Sequence, residues 1–369
     1  MKISACIITR DEPLLAGAVA SVRPYVDEIV IVDTGSSEPR PELADKFEVF
    51  TDCNGSDGKI RDFSLARQRS FDIASNDTVL WLDADDEVVG LDNLGRAIAA
   101  ARELSEEEDF VTSGVATRYI APYEYAYNES GACIATHPRG RILSDRKSFQ
   151  WVNRVHEGIA ARPGVKAQDL PIEGIVWKHR RKGKLKDKER NLRILFDVLR
   201  EEATKGPVSE RTRYDLGHEC LLCGLHLQAL PILESVAKGN GVSDLRAQAW
   251  LWVAEIHWFY KNFAAAESAA KNAANLLPHS SIPHFTLAKI TNDAGNPAAA
   301  IAHGMRGMDI PEFPTLLMAN PQDEMRTIPI LVANAARELG DTASERGILL
   351  RALKASPNDP ALLLRIATL

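Results

Sequence analysis

The chain of 369 residues lacks the features that would take it out of water or lock it covalently. No run of about 18 apolar residues occurs, so no segment reads as a helix able to span a bilayer. Only seven uncharged residues separate Lys2 from Arg10, too few for the apolar core of a signal peptide, and a cytoplasmic location is expected. The five cysteines (6, 53, 133, 220, 223) are an odd number and widely scattered. A disulfide framework is not expected in a chain long enough to bury a core. Basic residues are outnumbered 44 to 51, for a net charge of −7. That disfavours non-specific binding to nucleic acid, while leaving room for a local basic groove. G-x-G-x-x-G, G-x-x-x-x-G-K-[ST] and H-E-x-x-H are absent, which argues against a dehydrogenase, a P-loop enzyme and a zincin. What remains is an ordinary globular composition, 45% hydrophobic and 26% charged. The length suits two or three domains of roughly 100–200 residues.

The first 200 residues alternate short apolar runs with helical patterns. Residues 3–8 (ISACII) and 28–33 (EIVIVD) read as strands covered on both faces. Residues 48–50 are a weaker strand, and 78–82 (TVLWL) a strong one. Helical spacing runs through 13–22, 62–74 and 94–104, with Asp62 or Ser64 able to cap the second. Strands alternating with helices predict a mostly parallel sheet covered on both faces. In such sheets ligands collect at the carboxyl ends of the strands. Thr9 to Glu12, Asp33 to Ser37 and Asp83 to Asp86 all fall there.

From about Arg211 the chain turns helical, alanine- and leucine-rich, and repetitive. Four turns recur: Gly224-Leu225-His226, Lys261-Asn262-Phe263, Gly295-Asn296-Pro297 and Gly340-Asp341-Thr342. They begin 37, 34 and 45 residues apart. The longest step implies an insertion over 311–321, which holds three prolines. Small residues where two helices would touch, with proline ending the second, resemble the tetratricopeptide repeat. The alternative reading is an irregular helical bundle. Cys220 and Cys223 have C-x-x-C spacing but stand alone, so packing on one helix face is expected rather than zinc.

Asp83-Ala84-Asp85 closes a strand. Two carboxylates one residue apart, where a strand opens into a loop, can face one pocket and suit Mg²⁺ or Mn²⁺. A divalent ion there can bridge a diphosphate and neutralise a leaving nucleoside diphosphate. An isolated D-x-D is a weak signal, since acidic loops are usually just solvated. Its setting adds the rest. Residues 3–12 (ISACIITRDE), 26–36 (VDEIVIVDTGS), 62–67 (DFSLAR) and 80–86 (LWLDADD) follow in order. Together they resemble the family 2 glycosyltransferases of the GT-A fold, over roughly residues 1–180 and most specifically through residue 90. The opening is closest to members that pair this domain with tetratricopeptide repeats.

The resemblance implies transfer of a sugar from a nucleotide sugar, with inversion at the anomeric carbon. It implies that Thr9 and Glu12 line the nucleotide pocket and that Asp33 sits by the ribose or sugar. Asp62 would read the uracil edge or the ribose, and Arg67 would neutralise the diphosphate. Asp83 would approach the ribose and donor sugar, and Asp85 would hold the metal. Each has a plainer reading as well: Asp62 as a helix cap, Arg67 as a solvated face, Asp33 as a turn-former, Glu12 as a first-turn acid.

Residues 151–157 (WVNRVHE) resemble the segment that closes the acceptor side of the cleft in the same enzymes. Inverting transfer needs a base. Glu157 is the first candidate and Asp86 the second, because a carboxylate beside the metal would stay ionised. A salt-bridged Glu157 is the alternative. Residues 172–179 read as a last strand, which makes His179 a candidate third metal ligand. The basic stretch from Lys178 to Lys184 then reads as a solvated linker, a loop over the diphosphate or a contact for an anionic acceptor.

The expected organisation is a GT-A domain over 1–183, a linker helix over 184–210 and a tetratricopeptide-like α-helical domain over 211–369. The expected activity is a metal-dependent glycosyltransferase using Mn²⁺ or Mg²⁺ and a nucleotide sugar, most simply a UDP-sugar. The expected acceptor is a peptide or protein side chain; a surface glycan and a modified nucleic-acid base follow. Competing readings are a non-catalytic repeat adaptor with a nucleotide-sugar-binding domain, and a nucleotidyltransferase. The repeat domain could also serve homo-oligomerisation.

Overall fold

The structure is a computed structural model that describes residues 2–106, 115–127, 133–180, 187–311, 317, 321–355 and 360–369. It divides after Lys188 into two compact units.

The first unit is built on a mixed sheet. Strands β1 (Ile3–Thr9), β2 (Glu28–Asp33), β3 (Lys46–Val49) and β4 (Thr78–Asp83) are mutually parallel, in the order β3-β2-β1-β4. Their side chains are buried on both faces along β1, β2 and β4, as continuous apolar runs require. Helices α1 (Leu15–Val22) and α2 (Phe63–Ile73) connect them, and α3 (Leu94–Glu106) follows β5 (Asp86–Val89). Asp62 caps α2.

Beyond β4 the sheet turns antiparallel. β6 (Ala116–Tyr127) and β7 (Cys133–Leu143) form a long hairpin, β7 pairing with β4. β11 (Val176–His179) lies parallel to β6 and antiparallel to β5. The sheet is therefore parallel through its first four strands only. A hairpin of β8 (Phe149–Val152) and β9 (Gly158–Ala161) stands apart, while β10 (Ala167–Pro171) pairs with β6. Two apolar cores line the two faces: one around Ile7, Ile31, Leu80 and Trp177, the other around Phe71, Trp81 and Trp151.

The second unit opens with α4 (Arg190–Lys205) and continues in antiparallel helix pairs. These are α5 (Glu210–Leu222) with α6 (His226–Ala237), α7 (Ser243–Phe259) with α8 (Phe263–Leu276), α9 (Ile282–Asp293) with α10 (Pro297–Asp309), and α11 (Pro321–Glu338) with α12 (Thr342–Ala355). α13 (Pro360–Ala367) follows. The four turns between partners fall where the repeat in the sequence puts them, three of them through a glycine of positive φ (Gly224, Gly295, Gly340). Small residues let the helices meet closely: a methyl at Gly307 would lie 2.4 Å from the Phe285 ring. Most of the 311–321 insertion, and residues 181–184 of the basic stretch, lie outside the described residues.

Candidate active site

β1, β2 and β4 end together. Thr9 pairs in register with Asp33, and Ile8 with Asp83. Thr9 is buried, and its Oγ1 has no hydrogen-bond partner among the described residues. Asp33 is buried too. Its Oδ1 accepts the N–H groups of Gly35 (2.8 Å) and Ser36 (2.6 Å), so it shapes the turn after β2. Asp11, at φ +48°, accepts from Ser37 and closes the two loops on each other. Glu12 accepts the Leu14 N–H at 3.2 Å. Asp62 Oδ1 accepts from the Leu65 N–H (3.1 Å) and the Ser64 hydroxyl (2.6 Å), and its Oδ2 lies 3.6 Å from Arg154.

Arg67 stands on α2 with a side chain only 9% exposed. Its Nη2 donates to Asp83 Oδ1 at 2.5 Å and its Nε to Glu157 Oε1 at 2.6 Å. The guanidinium also lies over the rings of Trp81 and Trp151, 4.8 and 5.1 Å from their centres. Glu157 reaches it because the β8–β9 loop docks on α2: the Phe63 N–H donates to the Arg154 carbonyl (2.9 Å), and Trp151 packs edge-on against Trp81 at 4.8 Å. Asn153 and His156, both in the left-handed region, bend that loop. Burial opposes the charge on Arg67, but the two carboxylates outweigh it and raise its pKa further.

The turn from β4 to β5 carries three carboxylates. Asp86 is fully buried; its Oδ2 accepts the Asp83 N–H (3.0 Å) and its Oδ1 the Tyr123 hydroxyl (3.2 Å). Arg141, from β7, lies beneath with no exposed surface, its Nη2 3.3 Å from Asp86 and its Nη1 4.0 Å from Asp83. It is stacked 3.8 Å from the centre of Trp81 and 4.4 Å from that of Tyr123. His179 enters from β11, which pairs it in register with Asp86. Its Nδ1 lies 3.7 Å from both Asp85 Oδ1 and Asp86 Oδ1, and 3.2 Å from the Tyr123 hydroxyl.

The charges set one another. Burial alone would raise the Asp83 carboxyl, but Arg67 and then Arg141 hold it well below the usual carboxylate range. Asp85 goes the other way. Burial, with the Asp83 carboxylate beside it, pushes it up to about 6. The Asp86 carboxylate, 3.7 Å away, raises His179 against its desolvation.

One ligand atom each from Asp85, Asp86 and His179 lies within 4.8 Å of the others. The carboxylate oxygens suit Mn²⁺ or Mg²⁺, and an imidazole is a common ligand of divalent transition ions. Burial first, and the Asp83 carboxylate second, disfavour a charged Asp85, a penalty that a bound cation would relieve. The donor set therefore fits a divalent ion. Tyr123 and Arg141, which frame this cluster, carried no signal in the sequence beyond lying in an unassigned stretch before residue 151.

Residues 4–159 match the model of Glycosyl transferase family 2. A TPR repeat-containing protein of Synechococcus elongatus is 38% identical over 90 residues, 24% of this chain and 21% of that relative. The chain thus spans about a fifth of the length of the curated relative it matches. Among solved structures, BtubC of P. vanneervenii is 15% identical over 47% of this chain and 74% of its own, with a TM-score of 0.40. A thermophilic TPR protein of Thermus thermophilus is 16% identical over 49% and 89%, with a TM-score of 0.31. No described helix is long and apolar enough to cross a membrane. Within the first unit, residues 4–159 are similar to glycosyl transferase family 2, and tetratricopeptide-like helical repeats follow in the same chain.

Proposed function

We propose that the chain is an inverting glycosyltransferase that takes a sugar from a nucleotide sugar in a reaction dependent on Mn²⁺ or Mg²⁺. One observation carries this: within a domain similar to family 2, Asp85, Asp86 and His179 from two strands converge on a cation-sized space at the carboxyl edge of the sheet. Asp85 and His179 would hold the ion, with Asp86 behind them. When bound, it neutralises charge on a leaving nucleoside diphosphate. Thr9, whose hydroxyl has no hydrogen-bond partner among the described residues, and Glu12, Asp33 and Asp62 would line the edge where the nucleotide would lie.

The acceptor oxygen or sulfur attacks the anomeric carbon from the face opposite the diphosphate. That bond forms as the bond to the diphosphate oxygen breaks, and the acceptor's proton passes to a carboxylate. Of the two candidate bases, Glu157 keeps 15% of its side chain exposed and Asp86 none. A base must touch the acceptor, which supports Glu157. The ion pair with Arg67 fixes the orientation of Glu157. Arg67 serves by holding Asp83 and Glu157 in place. The stacked helices offer an extended surface that suits a peptide or protein acceptor.

The test incubates the full chain with a panel of UDP- and GDP-sugars and follows nucleoside diphosphate release. Release that requires Mn²⁺ or Mg²⁺ and stops in EDTA is expected. Full turnover in EDTA overturns the metal assignment, and no release from any nucleotide sugar, with or without peptide or glycan acceptors, overturns the reading. Proton NMR of the product's anomeric configuration tests inversion.

A further inference from the structure

A leaving diphosphate needs positive charge, and most guanidinium groups at this edge of the sheet are already engaged. Arg67 is shared by two carboxylates. Arg10 donates to the Gly58 carbonyl, Arg61 to Asp57, and Arg154 faces Asp62. Arg180 is paired with Glu87. Arg139 differs. It is exposed on β7 and makes no hydrogen bond or ion pair among the described residues; its contact is with the ring of Tyr123, 5.5 Å from the centre.

Its position is set by the sheet. β7 pairs antiparallel with β4, Val79 opposite Leu143 and Leu80 opposite Ile142. Farther along β7, Arg139 comes close enough to Asp83, at the carboxyl end of β4, for its charge to help hold that carboxyl down. The Tyr123 hydroxyl is 3.2 Å from both Asp86 and His179. Arg139 and the acidic cluster thus meet on the same tyrosine. Between the pairs Tyr119–Ile142 and Ile120–Gly140 the register slips, so Arg141 is the extra residue of a bulge. That turns Arg141 inward, where none of its three side-chain nitrogens makes a hydrogen bond among the described residues. A second buried guanidinium thus lies under the acidic turn, beside Asp83 and Asp86.

We infer that Arg139 is the residue that grips the donor's diphosphate, across Tyr123 from the Asp85, Asp86 and His179 cluster, with Arg141 positioning the carboxylates beneath it. This rests on the nucleotide-sugar reading above. A free guanidinium presents a planar fork that matches two phosphate oxygens at once, which the engaged Arg67 does not.

The experiment is calorimetric titration of the full chain with UDP and GDP in Mn²⁺, and with uridine and guanosine as phosphate-free controls. Arg139→Gln is compared with wild type and with Arg139→Lys. The expected result is a loss of about 10–100-fold in diphosphate affinity, the scale of one charge-assisted contact. Nucleoside binding and the melting temperature stay unchanged, and the lysine variant recovers part of the loss. Equal diphosphate affinity in Arg139→Gln and wild type overturns the inference and leaves the nucleotide-sugar reading standing. A parallel loss of nucleoside affinity or of melting temperature also overturns it, since Arg139 would then be structural. A wild-type chain that binds neither diphosphate overturns the underlying reading instead.

Discussion

Replacing Arg67 by methionine removes the charge that Asp83 and Glu157 share while keeping most of the volume between Trp81 and Trp151. The cost follows from what each carboxylate has left. Asp83 retains Arg141 at 4.0 Å and is 27% exposed. Glu157 is 15% exposed, and Arg67 is its one ion-pair partner among the described residues. Removing one partner of a buried pair costs about 3–5 kcal/mol, because the other charge stays behind unpaired. The loss of two cation–π contacts adds to this, and methionine sulfur against the same rings offsets part of it. In a unit of 188 residues each kcal/mol lowers the melting temperature by roughly 2–4 °C. The transition of the first unit should therefore fall by roughly 6–20 °C. Differential scanning calorimetry of the full chain reads it. The double variant Arg67→Met/Glu157→Gln should melt higher than Arg67→Met alone, since it no longer strands a charge. A single variant within about 2 °C of wild type, or a double variant no more stable than the single, would refute the buried-triad reasoning.

Asp85→Asn should fold normally, bind Mn²⁺ more weakly and lose at least about a hundredfold in nucleotide-sugar turnover; retained turnover in Mn²⁺ would count against the assignment. A third prediction concerns pH and the repeat unit. Burial, then the charge of Arg306, pulls His284 down to about 4, and its Nδ1 has no hydrogen-bond partner among the described residues. The folded form therefore prefers the neutral ring, and the stability it contributes is present above the unfolded value near 6.5 and lost as pH falls. Between pH 7 and 5 the loss is about 2 kcal/mol. Urea unfolding of His284→Gln should show a flatter pH dependence than wild type; equal slopes would count against it.

The sequence made the parallel half of the sheet readable because each strand there is buried on both faces. Apolar residues dominate such strands, and Ile29 to Val32 and Val79 to Leu82 are unbroken runs of them. Asp62 was readable as a cap for a local reason, since its partners are two and three residues away. The pair Arg67–Glu157 spans 90 residues, and the sequence left Glu157 open between base and salt-bridged acid. Arg141 was not readable at all. An arginine in a strand ordinarily faces water; this one is covered by Trp81, Tyr123 and Trp177, from three other strands, and is turned inward by a bulge. The last strand was expected from residue 172 and begins at Val176, because the turn through Gly174, at φ +76°, comes first.

The same non-local logic explains why the acidic turn sits where it does. β4 ends at Asp83 and β5 begins at Asp86, so two residues separate them in the chain. In the sheet they are far apart in order, joined through β7, β6 and β11. Both statements hold only if the sheet curls until its edge strand β5 comes back near β4. The Asp83 to Asp86 turn is the closure of that curl. Closure brings His179, 93 residues beyond Asp86, opposite Asp86 in register. It also packs Trp177 under the turn, its indole N–H donating to the Trp81 carbonyl at 3.1 Å. The cluster of Asp85, Asp86 and His179 is thus a product of topology rather than of a local motif. A D-x-D on an open sheet would be a solvated loop; here the returning strand supplies the imidazole, and β7 supplies the arginine beneath.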